Sequence, residues 1–131
     1  MATPNERPVG QKWVLIVDDT AVVRHFVSKI FTEAGHKAIQ AENGKVGLEL
    51  ARSTDPDLII LDVMMPIMGG IETLRALRED AQFESTPIVM LTGEHERETV
   101  IKVLMEGVTD YIVKDSLSNI KERRKQYVEA L

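Results

Sequence analysis

The sequence predicts an α/β fold: a doubly wound, five-stranded parallel sheet with helices on both faces. Three observations predict it. Short apolar, β-branched runs alternate along the chain with stretches of helical spacing. The strongest runs are apolar throughout, as strands covered on both faces should be. Each run ends at a charged or hydroxyl residue, and parallel sheets build their sites beyond the carboxyl ends of the strands.

The first run is Trp13-Val14-Leu15-Ile16-Val17, which stops at Asp18-Asp19. A weaker one follows at Ala38-Ile39-Gln40-Ala41. Leu58-Ile59-Ile60-Leu61 ends at Asp62, Ile88-Val89-Met90-Leu91 ends at Thr92, and Tyr111-Ile112-Val113 ends at Lys114. Helices are expected over 21–34, with Val22, Val23, Phe26, Ile30 and Phe31 as the apolar stripe, and over 44–53, 70–79 and 95–106. Gly35 and Gly107 sit where helices should stop. Residues 116–131 make a last helix, with Ser116 as N-cap. Residues 1–11, with Pro4, Pro8 and Gly10 among polar neighbours, read as a flexible lead-in.

One domain accounts for the 131 residues, and a hydrophobic fraction of 44% supplies its core. The net charge of −5 weighs against broad binding of nucleic acid or anionic membranes. The absence of cysteine excludes disulfides, thiolate metal sites and cysteine nucleophiles. No apolar run approaches membrane-spanning length and no signal-peptide pattern opens the chain, so a cytoplasmic protein is expected. His25, His36 and His95 lack metal-ligand spacing.

The topology brings Asp18, Asp19, Asp62, Thr92 and Lys114 to one edge of the sheet. Three converging acids repel one another unless a cation offsets them. Oxygen-only ligands suit a hard divalent ion, Mg²⁺ (or Mn²⁺), which leaves positions open for water or phosphate. A carboxylate beside such an ion can attack a phosphoryl group and form an aspartyl phosphate. Lys114 would supply neutralising charge and Thr92 a hydroxyl donor.

From about Lys12 to about Leu117 the chain resembles the receiver domain of two-component response regulators. The resemblance rests on LIVDDT, DLIILDVMMPIMGG, PIVMLTGE and GVTDYIVKD, in this order and spacing. It implies the flavodoxin-like (βα)5 receiver fold over a core of residues 12–117. It also implies a signalling domain rather than an enzyme, one that catalyses only its own phosphorylation and dephosphorylation. A sensor histidine kinase or phosphotransfer protein would donate the phosphoryl group. The resemblance makes Asp62 the phosphoacceptor, and it makes Asp18, Asp19, Asp62 and the backbone carbonyl of Met64 the metal ligands. Thr92 becomes the switch hydroxyl, Lys114 the phosphate-binding lysine and Tyr111 the aromatic rotamer switch. Pro66 and Gly69 fit the loop after the acceptor. Met64 and Glu94 fall at the two positions that set phosphate lifetime in the family. Direct nucleic-acid or membrane binding by this domain is not expected.

One departure stands out: Asp115 follows Lys114 where the family usually has proline. A cis bond without proline costs roughly 3 kcal/mol, so a trans bond and an altered loop are expected. In the last helix, Leu117 and Ile120 suit packing on the sheet. Leu117, Ile120, Tyr127 and Leu131 also approach heptad spacing, broken by Arg124. The helix over 116–131 therefore carries two further expectations. It continues as a linker to an absent output domain, or the chain dimerises through the fourth helix, fifth strand and last helix. Two competing functions fit less well. A phosphohydrolase of the haloacid dehalogenase type would show Asp-x-Asp where this chain has Asp18-Asp19. An adaptor without phosphorylation would have no need of the full acid, hydroxyl and lysine set.

Overall fold

The computed structural model describes residues 7–93, 107–114 and 117–129. The strands are β1 (Trp13–Val17), β2 (Lys37–Ala41), β3 (Leu58–Asp62), β4 (Ile88–Thr92) and β5 (Asp110–Val113). They form one parallel sheet in the order β2-β1-β3-β4-β5. The helices are α1 (Ala21–Thr32), α2 (Gly44–Thr54), α3 (Gly70–Glu79) and a C-terminal helix (Asn119–Arg124) that widens into a π-helical turn over Lys125–Glu129. The expected helix over 95–106, the Ser116 cap and Asp115 lie outside the described residues.

Side-chain alternation explains how fully apolar strands serve two faces. Leu15 and Val17 of β1 join Ile59, Leu61, Ile88 and Met90 in one core, under Ala51 of α2 and Leu74 and Leu77 of α3. Val14 and Ile16 point the other way. They join Leu58, Ile60, Val89, Leu91 and Ile112, under α1 and the C-terminal helix. Five parallel strands covered on both faces form the doubly wound sheet that the pattern predicts.

The buried stripe of α1 is rotated from the expected one. Val27, Ile30 and Phe31 are buried and Val23 packs against them, whereas Val22 is 78% and Phe26 46% exposed. Positions 23, 27, 30 and 31 share one helical face, and 22 and 26 lie at its margin. Asn43 caps α2 by accepting from Val46 N at 2.9 Å. The C-terminal helix turns Ile120, Tyr127 and Val128 into the same core as α1, so Ile120 and Tyr127 of the heptad-like stripe are used within the chain. Tyr127 Oη donates to Asp110 Oδ2 at 2.5 Å, and Arg124 Nη1 donates to the carbonyl of Ile30 at 3.0 Å.

Arg7 lies in the segment read as a lead-in. It donates to Asp57 Oδ2 at 2.7 Å and to the carbonyls of Thr54 and Asp55 at the end of α2, and it stacks on Trp13 with Lys37 also over the ring. Among the described residues, no helix is long and apolar enough to cross a membrane.

Candidate functional site at the carboxyl edge of the sheet

Strand order reverses direction around β1, with β2 on one side and β3 on the other. A crevice forms at such a switch point. Asp18 follows β1 and Asp62 ends β3. Both are buried, at 0% and 1% exposure, while Asp19 is exposed. One carboxylate oxygen from each of the three acids lies within 4.8 Å of the other two. Thr92 ends β4 and is buried. Lys114 follows β5, and its Nζ stands 3.1 Å from Asp62 Oδ1 and 3.3 Å from Asp18 Oδ2. The three acids and Lys114 therefore meet, and Thr92 ends β4, the strand beside β3.

The site is under-satisfied. Asp62 Oδ2 and Thr92 Oγ1 are buried without a hydrogen-bond partner, and Asp18 Oδ2 meets the lysine only as an ion pair outside hydrogen-bonding geometry. Buried acceptors of this kind are costly unless another group completes them. Burial raises the Asp62 carboxyl to about 7, and the Asp18 charge pushes the same way; the Lys114 ammonium and a backbone hydrogen bond from Met64 act against both. Burial would lower Lys114, but Asp62 and Asp18 outweigh it and hold the ammonium above its ordinary value. A hard divalent cation among the three carboxylates would relieve their repulsion and occupy the partnerless oxygens. The acidic cluster fits a metal.

The loop after β3 is shaped by its backbone. Met68 N donates to the Pro66 carbonyl at 2.7 Å around Ile67, whose φ of 71° is left-handed. Gly70 N donates to the Val63 carbonyl at 2.8 Å. A Cβ on Gly70 would stand 2.0 Å from the Asp62 carbonyl oxygen, so only glycine lets α3 begin against the end of β3. The resemblance points to Gly69, which has no such crowding. The Gly69-Gly70 pair was the available signal, but which member is crowded depends on the approach of α3. Met64 is exposed beside Asp62, and Tyr111, at 38% exposure, lies at the surface of β5. Glu94 lies outside the described residues. Arg24, which no motif or spacing marks, donates to the Asp18 carbonyl at 2.7 Å.

A family model described as the response regulator receiver domain matches residues 14–124. The chain belongs to that family. Among curated relatives, this receiver domain is 33% identical to chemotaxis protein CheY-3 of Vibrio cholerae, over 90% of this chain and 92% of that one. It is 39% identical to the phosphate regulon transcriptional regulatory protein PhoB of Pseudomonas aeruginosa, covering 79% of this chain and 45% of that one. It is 38% identical to hybrid signal transduction histidine kinase D of Dictyostelium discoideum, over 77% of this chain but only 6% of that protein. The chain thus spans nearly all of some relatives and less than half of others. Among solved structures, chemotaxis response regulator CheY4 of Vibrio cholerae superposes with a TM-score of 0.81 at 35% identity, covering 90% of this chain and 98% of that one. Accepting a phosphoryl group is the function of receiver domains, and histidine kinases are their partners. The domain is a signalling module, not an enzyme of the ordinary kind.

Proposed function

We propose that Asp62 accepts a phosphoryl group from a histidine kinase or phosphotransfer protein, and that Mg²⁺ or Mn²⁺ is held by Asp18, Asp19, Asp62 and the Met64 carbonyl. One observation carries the reading: Asp62 keeps a partnerless buried oxygen in a cluster of three acids offset by one ammonium. When bound, the ion supplies charge neutralisation for the transferring group. The Asp62 carboxylate attacks phosphorus, and the bond from phosphorus to the donor nitrogen breaks with its electron pair leaving on the donor's imidazole. Lys114, already on Asp62, is placed to neutralise the charge that arrives. The Thr92 hydroxyl gains an acceptor when the phosphoryl oxygens enter, and Tyr111 turns inward from the surface as the second half of the switch. Exposed Val22 and Phe26 on α1, and exposed Met64 and Ile67 in the segment after β3, offer apolar ground to a donor protein.

The reading extends to the whole chain. It is a cytoplasmic domain with a lead-in over 1–11 and a receiver core over 12–117. Met64 and Glu94 set phosphate lifetime. A homodimer through the 95–106 segment, β5 and the C-terminal helix would be ruled out by a monomeric mass in light scattering with and without phosphorylation.

The deciding experiment is incubation with Mg²⁺ and a small phosphodonor, followed by intact mass. One added phosphoryl group that is lost in Asp62→Asn supports the reading. No addition to protein shown to bind Mg²⁺ overturns it.

A further inference from the structure

The turn between β1 and α1 carries two of the three acids, yet it lies beyond the end of β1, where the sheet ladder stops holding the backbone. Asp18 N still donates to the Ala41 carbonyl at 3.1 Å. Its own carbonyl needs another donor. Arg24 provides it, with Nη1 at 2.7 Å from the Asp18 oxygen. Nε of the same guanidinium donates to Gln40 Oε1 on β2 at 3.3 Å. The Arg24 backbone N donates to the Thr20 carbonyl at 3.1 Å, and Thr20 N donates to Asp18 Oδ1 at 2.8 Å. Arg24 therefore ties the turn to the first turn of α1 through its backbone, and to β1 and β2 through its planar fork.

The two cations near the acids act differently. Lys114 takes hold of carboxylate oxygens, the atoms a metal would use. Both side-chain bonds of Arg24 go to neutral oxygens, so it fixes the acid-bearing backbone and leaves the ligand atoms open. Partners behind a metal's ligands commonly govern affinity by holding those ligands in place.

We infer that Arg24 is the positioning residue of the divalent-cation site, holding Asp18 and Asp19 toward Asp62 through the Asp18 carbonyl. The inference rests on the metal-site reading above. It is tested on the unphosphorylated full chain with Mn²⁺ alone, free ion being measured by electron paramagnetic resonance. Arg24→Met keeps the stem and removes the fork, and it is expected to raise the Mn²⁺ dissociation constant about tenfold. Arg24→Lys restores a single donor and should recover affinity to within about threefold of the unchanged protein, a rescue that general destabilisation would not produce. A folded Arg24→Met protein that binds Mn²⁺ as tightly as the unchanged one overturns the inference. Should Arg24→Met fail to fold, Arg24→Ala takes its place, and a folded Arg24→Ala protein that binds Mn²⁺ as tightly as the unchanged one overturns the inference. Mn²⁺ binding that is lost in Asp19→Asn yet indifferent to Arg24 refutes the role of Arg24 alone. Failure of the unchanged chain to bind Mn²⁺ refutes the metal site itself.

Discussion

Lys114 sets its ammonium 3.1 Å from Asp62 Oδ1 and also reaches Asp18, so one cation bridges two carboxylates that are fully buried. Removing one member of such a group leaves buried charge without compensation. Lys114→Ala should lower stability in metal-free buffer by about 2 kcal/mol, less than a fully enclosed pair would lose because the lysine side chain is part-exposed. Saturating Mg²⁺ should restore most of that loss, since the ion takes over the lysine's electrostatic task. Urea unfolding with and without Mg²⁺ measures both effects; equal losses in the two conditions would refute the account.

Asp62 gives stability a distinct pH dependence. Its carboxyl is raised from 3.8 to about 7, chiefly by burial. Between those values the native state holds a proton that the unfolded chain has released, so stability must fall as pH rises through this window. Below it both states are protonated and the native state carries no penalty; above about 7 the penalty is complete. In EDTA, the unfolding free energy is expected to decline from pH 4 to pH 7. The decline should shrink in Asp62→Asn and also with Mg²⁺ present at neutral pH. A profile identical in Asp62→Asn and the unchanged protein would show that another group governs it.

The two adjacent glycines after β3 should behave oppositely. A Cβ at Gly70 would meet backbone atoms of Asp62 and Val63, which cannot swing aside as a flexible side chain does. Gly70→Ala should therefore cost about 2–3 kcal/mol and slow phosphorylation by displacing the end of β3. At Gly69 the nearest atom to a Cβ is 3.9 Å away, and Gly69→Ala should change stability by less than about 0.5 kcal/mol. Thermal melts of the two variants compare them directly.

Docking of the C-terminal helix depends on Asp110. Its Oδ2 accepts from both Tyr127 Oη and Arg123 Nη1. Burial pushes the Tyr127 phenol above its ordinary range, with Asp110 adding to the shift, so the hydroxyl stays a donor at all physiological pH values. Tyr127→Phe should cost about 1–2 kcal/mol, the scale of a hydrogen bond to a charged acceptor. Protection of C-terminal amides should fall before that of the sheet, as hydrogen exchange would show.

The sequence by itself determined the parallel sheet, because runs such as Leu58–Leu61 are apolar at every position and only strands buried on both faces need that. It also determined the identities of Asp18, Asp19, Asp62, Thr92 and Lys114, since each follows directly from where a strand stops. The meeting of the three acids with Lys114 needed only strand order. Tertiary structure decided what depends on angles and close approach. It chose Val27 over Phe26 for the core face of α1 by the helix's rotation on the sheet, and it singled out Gly70 by bringing α3 against β3. It sent Tyr127 inward to Asp110, although heptad spacing equally suited an outward seam. It also recruited Arg24 from α1 to the backbone of Asp18. Periodicity reports which residues share a face, but a bond from a guanidinium to a carbonyl leaves no period to read. The chemistry of the site was therefore legible in one dimension, and the scaffold that holds it was legible only in three.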